Sequence, residues 1–271
     1  MRLLDGKELA GFIKQRQAKD VRRLKASKIF PKLAIVQVKD DPVINTYVRL
    51  KKQYGADIAI EVELHTLDQK DVPKLLNRLS IDDSVHGIII QLPLSDPSQT
   101  DEIVNMVAPQ KDVDALGKNA KFEPATPMAI LWLLHGYNVE LAGKQILLIG
   151  RGKLVGEPLE KILRSSGYNV EVVNREVKDL AKHTKQADII ITATGSPAVL
   201  YPDMIKRGAV VVDAGVASEE GKTVGDLSPE VYKRDDLTIT PAKGGVGPLT
   251  VCALFENVIR ASQQKITKRS Q

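Results

Sequence analysis

The sequence predicts an α/β protein of two domains, each built around a parallel sheet. Short apolar runs alternate with amphipathic helical segments along most of the 271 residues, and this alternation is typical of βαβ units. Aromatic residues make up only 4% of the chain, so aliphatic side chains must fill the cores, as they do around buried parallel strands. The length is sufficient for two domains that each bury a core of their own.

The charge and cysteine content exclude several classes of protein. The net charge of +5 is spread along the chain without a basic stripe that alternates with aromatic residues, so nucleic-acid binding is not expected. The single cysteine, Cys252, cannot form an internal disulfide, which fits a reducing compartment. No apolar run approaches the roughly 20 residues of a membrane span, and the charged first residues do not resemble a signal peptide. We therefore expect a cytoplasmic protein that binds neither nucleic acids nor membranes.

The first half of the chain predicts strands and helices in alternation. Asp41 followed by Pro42 is typical of a helix start, and Gly55 is expected to end that helix. The predicted elements are a helix over 6–27, a strand over 33–38, a helix over 42–54, a strand over 58–67, a helix over 70–79 and a strand over 85–92. Residues 108–127 contain three prolines and little periodicity. We place the domain boundary there and assign the first domain to residues 1–122.

The second half repeats the alternation and adds glycine turns at strand ends. The predicted elements are a strand over 144–149, a helix over 154–166, a strand over 168–173, a helix over 177–184, strands over 187–194 and 209–213, and a helix over about 249–265. The later strands are apolar almost throughout, as expected when helices cover both faces of a sheet. This pattern predicts a second domain over residues 123–249 and a separate C-terminal helix within residues 250–271.

Gly150, Gly152 and Gly156 lie where a predicted strand turns into a predicted helix. In a dinucleotide-binding fold such glycines permit the tight turn, the approach of the backbone to the phosphates and close helix packing, while the helix N-terminus faces the phosphates. The spacing G-x-G-x-x-x-G is one residue longer than the usual fingerprint, but the strand before it and the helix after it support the assignment. We predict a Rossmann-type domain.

The end of the second strand of that domain favours NADP over NAD. An NAD site usually has Asp or Glu there to bind the ribose hydroxyl. Here the end of the strand reads Val173-Asn174-Arg175, and the guanidinium of Arg175 suits a 2′-phosphate. Arg151, in the glycine turn, is a second candidate for that phosphate. Glu176 would instead serve a ribose if the register were shifted. Gly195 and Val216 follow two later strands at the same sheet edge and are expected beside the cofactor.

Further segments carry polar groups whose meaning is open when each is read alone. Tyr47 and Lys51 are four residues apart on a predicted helix and share a face, although a lysine at such a position is usually solvated. Gln91 ends an apolar strand, and a polar amide at that place is more suggestive of a site. Two other segments are the charged Lys111-Asp112-Val113-Asp114 and the turn Gly244-Gly245-Val246-Gly247-Pro248-Leu249-Thr250, which opens directly into a helix.

Together these segments resemble the bifunctional methylenetetrahydrofolate dehydrogenase/cyclohydrolase family, known as FolD, from about Leu3 to Asn257. The other matching motifs, which occur in the family's order, are Asp40-Asp41-Pro42, Gln91-Leu92-Pro93-Leu94, Pro124-Ala125-Thr126-Pro127 and Gly150-Arg151-Gly152 with Val155-Gly156. The resemblance implies an N-terminal α/β catalytic domain, a C-terminal Rossmann-type dinucleotide-binding domain and a last helix that returns to the first domain. It also implies a homodimer, with the active site in a cleft between the domains. The implied reactions are oxidation of 5,10-methylenetetrahydrofolate with NADP and hydrolysis of the 5,10-methenyl product to 10-formyltetrahydrofolate.

The resemblance also implies roles for individual residues. Lys51 would be the central catalytic group and Gln91 its hydrogen-bond partner, while Tyr47 would pack on the aminobenzoyl ring and Asp114 would anchor the pterin. The implied contacts with tetrahydrofolate substrates are Tyr47, Lys51, Ile90, Gln91, Leu92, Asp114, Gly244, Gly245, Pro248 and Leu249. The implied contacts with NADP are Gly150, Arg151, Gly152, Arg175, Gly195 and Val216. No cluster of metal ligands is evident.

The chain departs from the family's usual residues at several positions while it keeps Tyr47, Lys51, Gln91 and Asp114. These positions are Ile44 and Gly152, where the family often has serine, Ala115 in place of glycine, Ala125 in place of cysteine and Lys243 in place of proline. The alternatives are a dehydrogenase that has lost the cyclohydrolase activity, an NADP dehydrogenase for another small substrate, and a non-catalytic NADP-binding protein. The retained Lys51 and Gln91 argue against a pure binding protein.

Overall fold

The computed structural model describes residues 1–174, 176–219 and 222–269. The chain forms two compact units. The six-strand unit consists of Met1–Ala10 and Thr126–Thr250, and the three-strand unit consists of Gly11–Ala125 and Val251–Gln271. Within the described residues, no helix combines the length and the apolar character needed to cross a membrane.

Helices and strands alternate along the chain as the sequence predicts. The strands are β1 (Arg2–Leu3), β2 (Lys32–Gln37), β3 (Glu61–Thr66), β4 (Gly87–Ile90), β5 (Ile146–Ile149), β6 (Val170–Val173), β7 (Ile189–Thr192), β8 (Val210–Asp213), β9 (Ala217–Glu219), β10 (Lys222–Val224) and β11 (Thr238–Ile239). The helices are α1 (Gly6–Ala26), α2 (Pro42–Asp57), α3 (Val72–Ile81), α4 (Thr100–Asn105), α5 (Ala125–Gly136), α6 (Gly156–Ser165), α7 (Leu180–Thr184) and α8 (Val246–Arg269).

The three-strand unit contains a parallel sheet in the order β3-β2-β4. Its central strand β2 and the short strand β4 are buried almost completely, which explains why both are continuous apolar runs. Helix α3 packs four buried side chains against this sheet, and they join the core formed by residues such as Ala34, Val36 and Ile88. The carboxyl ends of all three strands therefore lie at one edge of this sheet.

The six-strand unit contains a parallel sheet in the order β1-β11-β8-β7-β5-β6 and an antiparallel hairpin of β9 and β10. Side chains of β5, β7 and β8, including Leu147, Ile190 and Val211, form its core. Beside β5, the order of the strands in the sheet departs from their order along the chain. Two loops from neighbouring strands diverge at this point, which is where doubly wound sheets bind ligands. The predicted α/β class with a parallel sheet in both parts of the chain is confirmed.

The last helix, α8, returns to the three-strand unit, as predicted. The side-chain amide of Asn257 donates to the carbonyl oxygens of Val113 and Glu123, both at 2.9 Å. The ring of Phe255 lies against that of Tyr54, with 5.1 Å between their centroids. Because Asn257 is fully buried, these bonds fix the register of α8 against the connection that contains Val113 and Glu123.

The predicted helix stop at Gly55 is wrong, because α2 continues to Asp57. Gly55 is buried inside the helix, where a Cβ atom would lie 3.0 Å from the carbonyl oxygen of Ile60 and closer still to the side chain of Val62. The glycine therefore permits close packing of α2 on β3 instead of ending the helix. The predictions also omit α4 and α5 and the short strands β1, β9, β10 and β11.

Candidate active site

Helix α2 presents Tyr47 and Lys51 because of how it begins and what it buries. Asp41 caps the helix by accepting hydrogen bonds from the backbone N–H groups of Val43 at 2.9 Å and Ile44 at 3.3 Å. The buried side chains of Ile44 and Val48 face the unit's core. Tyr47, three residues after Ile44, lies at the border of this buried face and is 38% exposed, with Lys51 one turn further along.

The amine of Lys51 donates a hydrogen bond of 2.7 Å to the side-chain oxygen of Gln91. Gln91 follows β4 directly, and its backbone N–H continues the ladder by donating to Val36 at 2.9 Å. Its amide nitrogen donates to the carbonyl oxygen of Leu92 at 3.2 Å, which leaves the amide oxygen aimed at the lysine. Burial lowers the pKa of Lys51, while attraction to the carboxylate of Asp114 opposes that shift.

Asp114 owes its position to Lys111, three residues earlier in the charged segment. The backbone N–H of Ile88 donates to the carbonyl oxygen of Lys111 at 2.7 Å, so the segment runs beside β4. The buried amine of Lys111 donates to the carbonyl oxygens of Leu79 at 2.8 Å and Asp82 at 2.6 Å. Burial raises the pKa of Asp114, and the positive charge of Lys51 opposes this. The structure therefore brings Lys51, Gln91 and Asp114 together.

Asp112 has a structural position in the same segment. It is buried, and its carboxylate accepts the backbone N–H of Gly117 at 2.8 Å and that of Leu116 at 3.4 Å. Burial raises its pKa to about 6, and the charge of Asp114 also contributes to this rise. The turn between these residues places Ala115 at a φ of 57°, in the left-handed region, where glycine is more usual.

Sequence reasoning missed Gln37, which ends β2 beside Gln91. Its amide nitrogen donates to the carbonyl oxygen of Lys39 at 2.9 Å and to the side-chain oxygen of Asn45 at 2.8 Å. Its own amide oxygen is buried and accepts no hydrogen bond from the described residues. The signal was present in the sequence, since Gln37 is a polar residue near the end of an apolar strand, as Gln91 is.

The glycine turn after β5 has the geometry that its sequence predicts. Gly150 has a φ of 101°, and a Cβ there would lie 2.5 Å from the carbonyl oxygen of Ala193. A Cβ at Gly156 would overlap the carbonyl of Gly150, so this glycine allows α6 to pack closely on the strand. A Cβ at Gly152 would meet nothing within 4 Å, which leaves open space above the turn.

This turn fits a dinucleotide phosphate. Helix α6 begins after Val155, and among the described residues no side chain caps its first N–H groups. Such N–H groups and the open space at Gly152 suit an anion. Gly195 follows β7 with a φ of 63°, and Val216, 58% exposed, follows β8. Since β5, β7 and β8 are neighbours in the sheet, all these residues lie at the same edge.

Of the two arginines predicted to bind a phosphate, the structure describes only Arg151. The side chain of Arg151 is exposed and forms an ion pair of 2.6 Å with Glu160 on α6. Arg175 lies outside the residues that the structure describes.

The predicted folate loop after Thr240 is held within the six-strand unit. Gly244 has a φ of 88°, and its carbonyl oxygen accepts the backbone N–H of Lys7 at 2.9 Å. Gly245 and Leu249 are buried, and Pro248 is half-buried. The loop is therefore fixed by the first turn of α1 and leads directly into α8.

Comparison with known proteins relates this geometry to a family. Residues 4–114 match the catalytic domain of tetrahydrofolate dehydrogenase/cyclohydrolases, and residues 124–266 match their NAD(P)-binding domain. The bifunctional protein FolD of Campylobacter jejuni (strain RM1221) is 37% identical over 281 residues, which cover 98% of this chain and 100% of that protein.

Solved structures agree with these matches. A bifunctional FolD methylenetetrahydrofolate dehydrogenase/cyclohydrolase from Campylobacter jejuni has a TM-score of 0.92 at 38% identity, over 98% of this chain and 99% of that chain. The Trypanosoma brucei dehydrogenase-cyclohydrolase, complexed with NADP cofactor and inhibitor, has a TM-score of 0.91 at 28% identity, over 97% and 98% of the two chains. The chain therefore belongs to the tetrahydrofolate dehydrogenase/cyclohydrolase family.

Proposed function

We propose that this protein oxidises 5,10-methylenetetrahydrofolate with NADP and hydrolyses the resulting 5,10-methenyltetrahydrofolate to 10-formyltetrahydrofolate. The observation that carries the proposal is the hydrogen bond of 2.7 Å between Lys51 and the neutral amide of Gln91, in a chain of this family. A lysine without a chemical task is usually solvated, whereas this amine is held at the carboxyl edge of a buried sheet.

Lys51 is suited to handle the proton of the hydrolysis. The methenyl substrate is a cation, so water attacks it readily once the water is positioned and can lose a proton. An amine whose pKa is lowered by burial is neutral in a larger fraction of molecules near pH 7, and it can accept that proton. Gln91 orients the amine without adding a negative charge that would hold the proton on it.

Tyr47 and Asp114 supply binding groups around this amine. We assign the half-exposed ring of Tyr47, one turn before Lys51, to packing on the aminobenzoyl ring of the substrate. Asp114 provides acceptor oxygens for the N–H groups of the pterin. Ile90 and Leu92, which flank Gln91, add apolar contacts, and Gly244, Gly245, Pro248 and Leu249 complete the substrate residues that we assign.

NADP, when bound, accepts the hydride of the dehydrogenase step. We assign its phosphates to the turn of Gly150 and Gly152 at the start of α6. Gly195 and Val216 are assigned to the same cofactor because they share the sheet edge with that turn. Arg151 and Arg175 are assigned to the 2′-phosphate, on the basis of their guanidinium chemistry.

The test follows the two reactions separately in the purified protein. NADP reduction is measured with 5,10-methylenetetrahydrofolate, and hydrolysis is measured with 5,10-methenyltetrahydrofolate alone, without nucleotide. Both activities are expected, and NADP should support faster turnover than NAD. Reduction without hydrolysis would identify a monofunctional dehydrogenase, and NADP binding without either reaction would identify a binding protein.

We also propose that the protein is a homodimer in the cytoplasm. The family resemblance supports the dimer, and the single cysteine supports a reducing compartment. Light scattering after size-exclusion chromatography should give twice the chain mass of 29.7 kDa. A monomeric mass at micromolar concentration would contradict the dimer, and cell fractionation tests the location.

A further inference from the structure

Two carboxylates that sequence reasoning did not single out lie beneath the cofactor edge of the six-strand unit. Asp226 is fully buried, and both its oxygens bind the loop that follows β7. Its Oδ2 accepts the backbone N–H of Thr194 at 2.7 Å, and its Oδ1 accepts that of Ser196 at 3.1 Å. One carboxylate thus fixes the backbone on both sides of Gly195.

Asp213, the last residue of β8, holds the segment that carries Asp226. Its Oδ1 accepts the backbone N–H groups of Gly215 at 3.0 Å and Asp226 at 3.1 Å. Its Oδ2 accepts the N–H of Leu227 and the hydroxyl of Tyr232, both at 3.3 Å. The loop after β8, which leads to Val216, and the segment after β10 that carries Asp226 are therefore fixed to one carboxylate.

The glycines beside these carboxylates show how closely the backbone approaches them. A Cβ at Gly215 would lie 2.6 Å from Oδ2 of Asp226 and closer to its other oxygen. A Cβ at Gly225 would lie 2.7 Å from Cγ of Asp213 and closer to one of its oxygens. Each carboxylate is therefore enclosed by backbone at the base of the β9–β10 hairpin.

Burying these two carboxylates costs more desolvation free energy than a purely structural link would require. In the described part of the chain, the partners of the two carboxylates are backbone N–H groups and hydroxyls, not cations. Burial raises the pKa of Asp226, and the nearby charge of Asp213 raises it further, while the N–H donors oppose the rise. A carboxylate tolerates this environment because it can accept several N–H groups at fixed positions.

We propose that Asp226 and Asp213 are positioning residues for NADP, which hold the loops at residues 194–196 and 214–216 in the conformation that binds the dinucleotide. The proposal rests on the proposed function, because Gly195 and Val216 are assigned to the cofactor there. The proposal predicts different effects on the two reactions, since only the dehydrogenase step uses NADP. Disturbing the two carboxylates should therefore weaken NADP binding and leave the hydrolysis of methenyltetrahydrofolate unchanged.

The test uses Asp226→Asn in the full-length protein. Asparagine has one acceptor oxygen, so its amide nitrogen faces the N–H of either Thr194 or Ser196 and releases that part of the loop. The KM for NADP and the dissociation constant of NADP from calorimetry should rise by about tenfold or more. The rate of methenyl hydrolysis without nucleotide should stay within about twofold of the wild-type rate.

Asp236→Asn is the matched control in the same unit. Asp236 forms an ion pair of 2.6 Å with Arg234, whose guanidinium donates to the carbonyl oxygens of Pro202 and Ile205. Its replacement should lower the thermal unfolding midpoint without changing the KM for NADP. An unchanged NADP affinity in Asp226→Asn, or an equal loss of both reactions, would overturn the positioning role.

Tyr232→Phe tests the positioning role if Asp226→Asn does not fold. It removes only the hydroxyl that donates to Asp213, so the fold is expected to remain, and NADP affinity should fall a few-fold. Unchanged NADP affinity in a folded Tyr232→Phe protein would overturn the proposal. Failure of the wild-type protein to catalyse either reaction would instead refute the proposed function, so the two failures are distinguishable.

Discussion

Lys51 and Gln91 form a hydrogen bond of 2.7 Å in which the partner of the amine is neutral. A carboxylate at that distance would stabilise the ammonium form and raise the pKa of the lysine. The neutral amide accepts the hydrogen bond and leaves burial as the larger influence on that pKa. The pair therefore orients an amine whose pKa is lowered by burial.

Replacing Gln91 by Glu should shift the pH dependence of methenyl hydrolysis upward. The new carboxylate raises the pKa of Lys51, so the neutral amine appears only at higher pH. The pH–rate profile should move in that direction, with a large loss of rate at pH 7. Gln91→Met is the control, since it removes the hydrogen bond without adding charge and should lower the rate without an upward shift. A profile for Gln91→Glu that coincides with the wild-type profile would argue against proton exchange by Lys51.

Replacing Asp114 by Asn should shift the same profile in the opposite direction. The carboxylate of Asp114 raises the pKa of Lys51 by Coulombic attraction, so its removal lets burial lower that pKa further. The pH at which hydrolysis reaches half its maximum should therefore fall. The KM for the folate substrate should also rise by about tenfold, because a buried acceptor is lost. A shift to higher pH would contradict the electrostatic coupling of the two residues.

Replacing Lys51 by Met should abolish methenyl hydrolysis and leave NADP binding intact. General acid–base groups contribute about 100- to 10,000-fold to a rate, and methionine has a similar length without a proton to exchange. Hydrolysis is followed by absorbance, and NADP binding by calorimetry. Lys52→Met is the control, because Lys52 is exposed on the same helix and should be dispensable. Near-normal hydrolysis in Lys51→Met would remove Lys51 from its proposed role.

The two glycines of the cofactor turn should respond differently to substitution. Gly150→Ala places a methyl group 2.5 Å from a backbone oxygen at a φ of 101°, so it should lower the stability of the protein by about 2 kcal/mol or more. Gly152→Ser extends into open space and should leave the thermal midpoint nearly unchanged. Its hydroxyl should also lower the dissociation constant of NADP, as expected where the family often has serine. Equal destabilisation by both substitutions would contradict the geometry of the turn.

The sequence predicts most of the regular elements because their periodicity reflects burial. Strands such as β2, β4 and β7 are apolar on both faces, and α3 and α6 have one apolar face each. Helix α5 escaped prediction because it is apolar nearly all round, which removes the amphipathic period. Strand β1 has two residues and pairs with β11 near the other end of the chain, so no local sequence pattern indicates it.

The candidate site was predictable in its residues but not in its supports. Lys51 could be singled out by its position on a helix face and Gln91 by its position at a strand end. Only the family resemblance implied that the two side chains form a hydrogen bond, and the structure has them 2.7 Å apart. Asp226 was not predictable as a partner of Thr194 and Ser196, because the contact joins positions about 30 residues apart through the tertiary fold. The packing reason for Gly55 likewise depends on a strand that approaches from outside the helix.

Asp112 should make the protein less stable as the pH rises from about 4 to about 6. Burial raises its pKa to about 6, from the ordinary 3.8, so in this window the unfolded chain has released a proton that the folded chain keeps. The free energy of unfolding then decreases with rising pH, by on the order of 3 kcal/mol over the window. Asp112→Asn cannot ionise and should lose this contribution. Urea unfolding of both proteins at pH 4, 5 and 6 measures the difference, and parallel stability curves would contradict the raised pKa of Asp112.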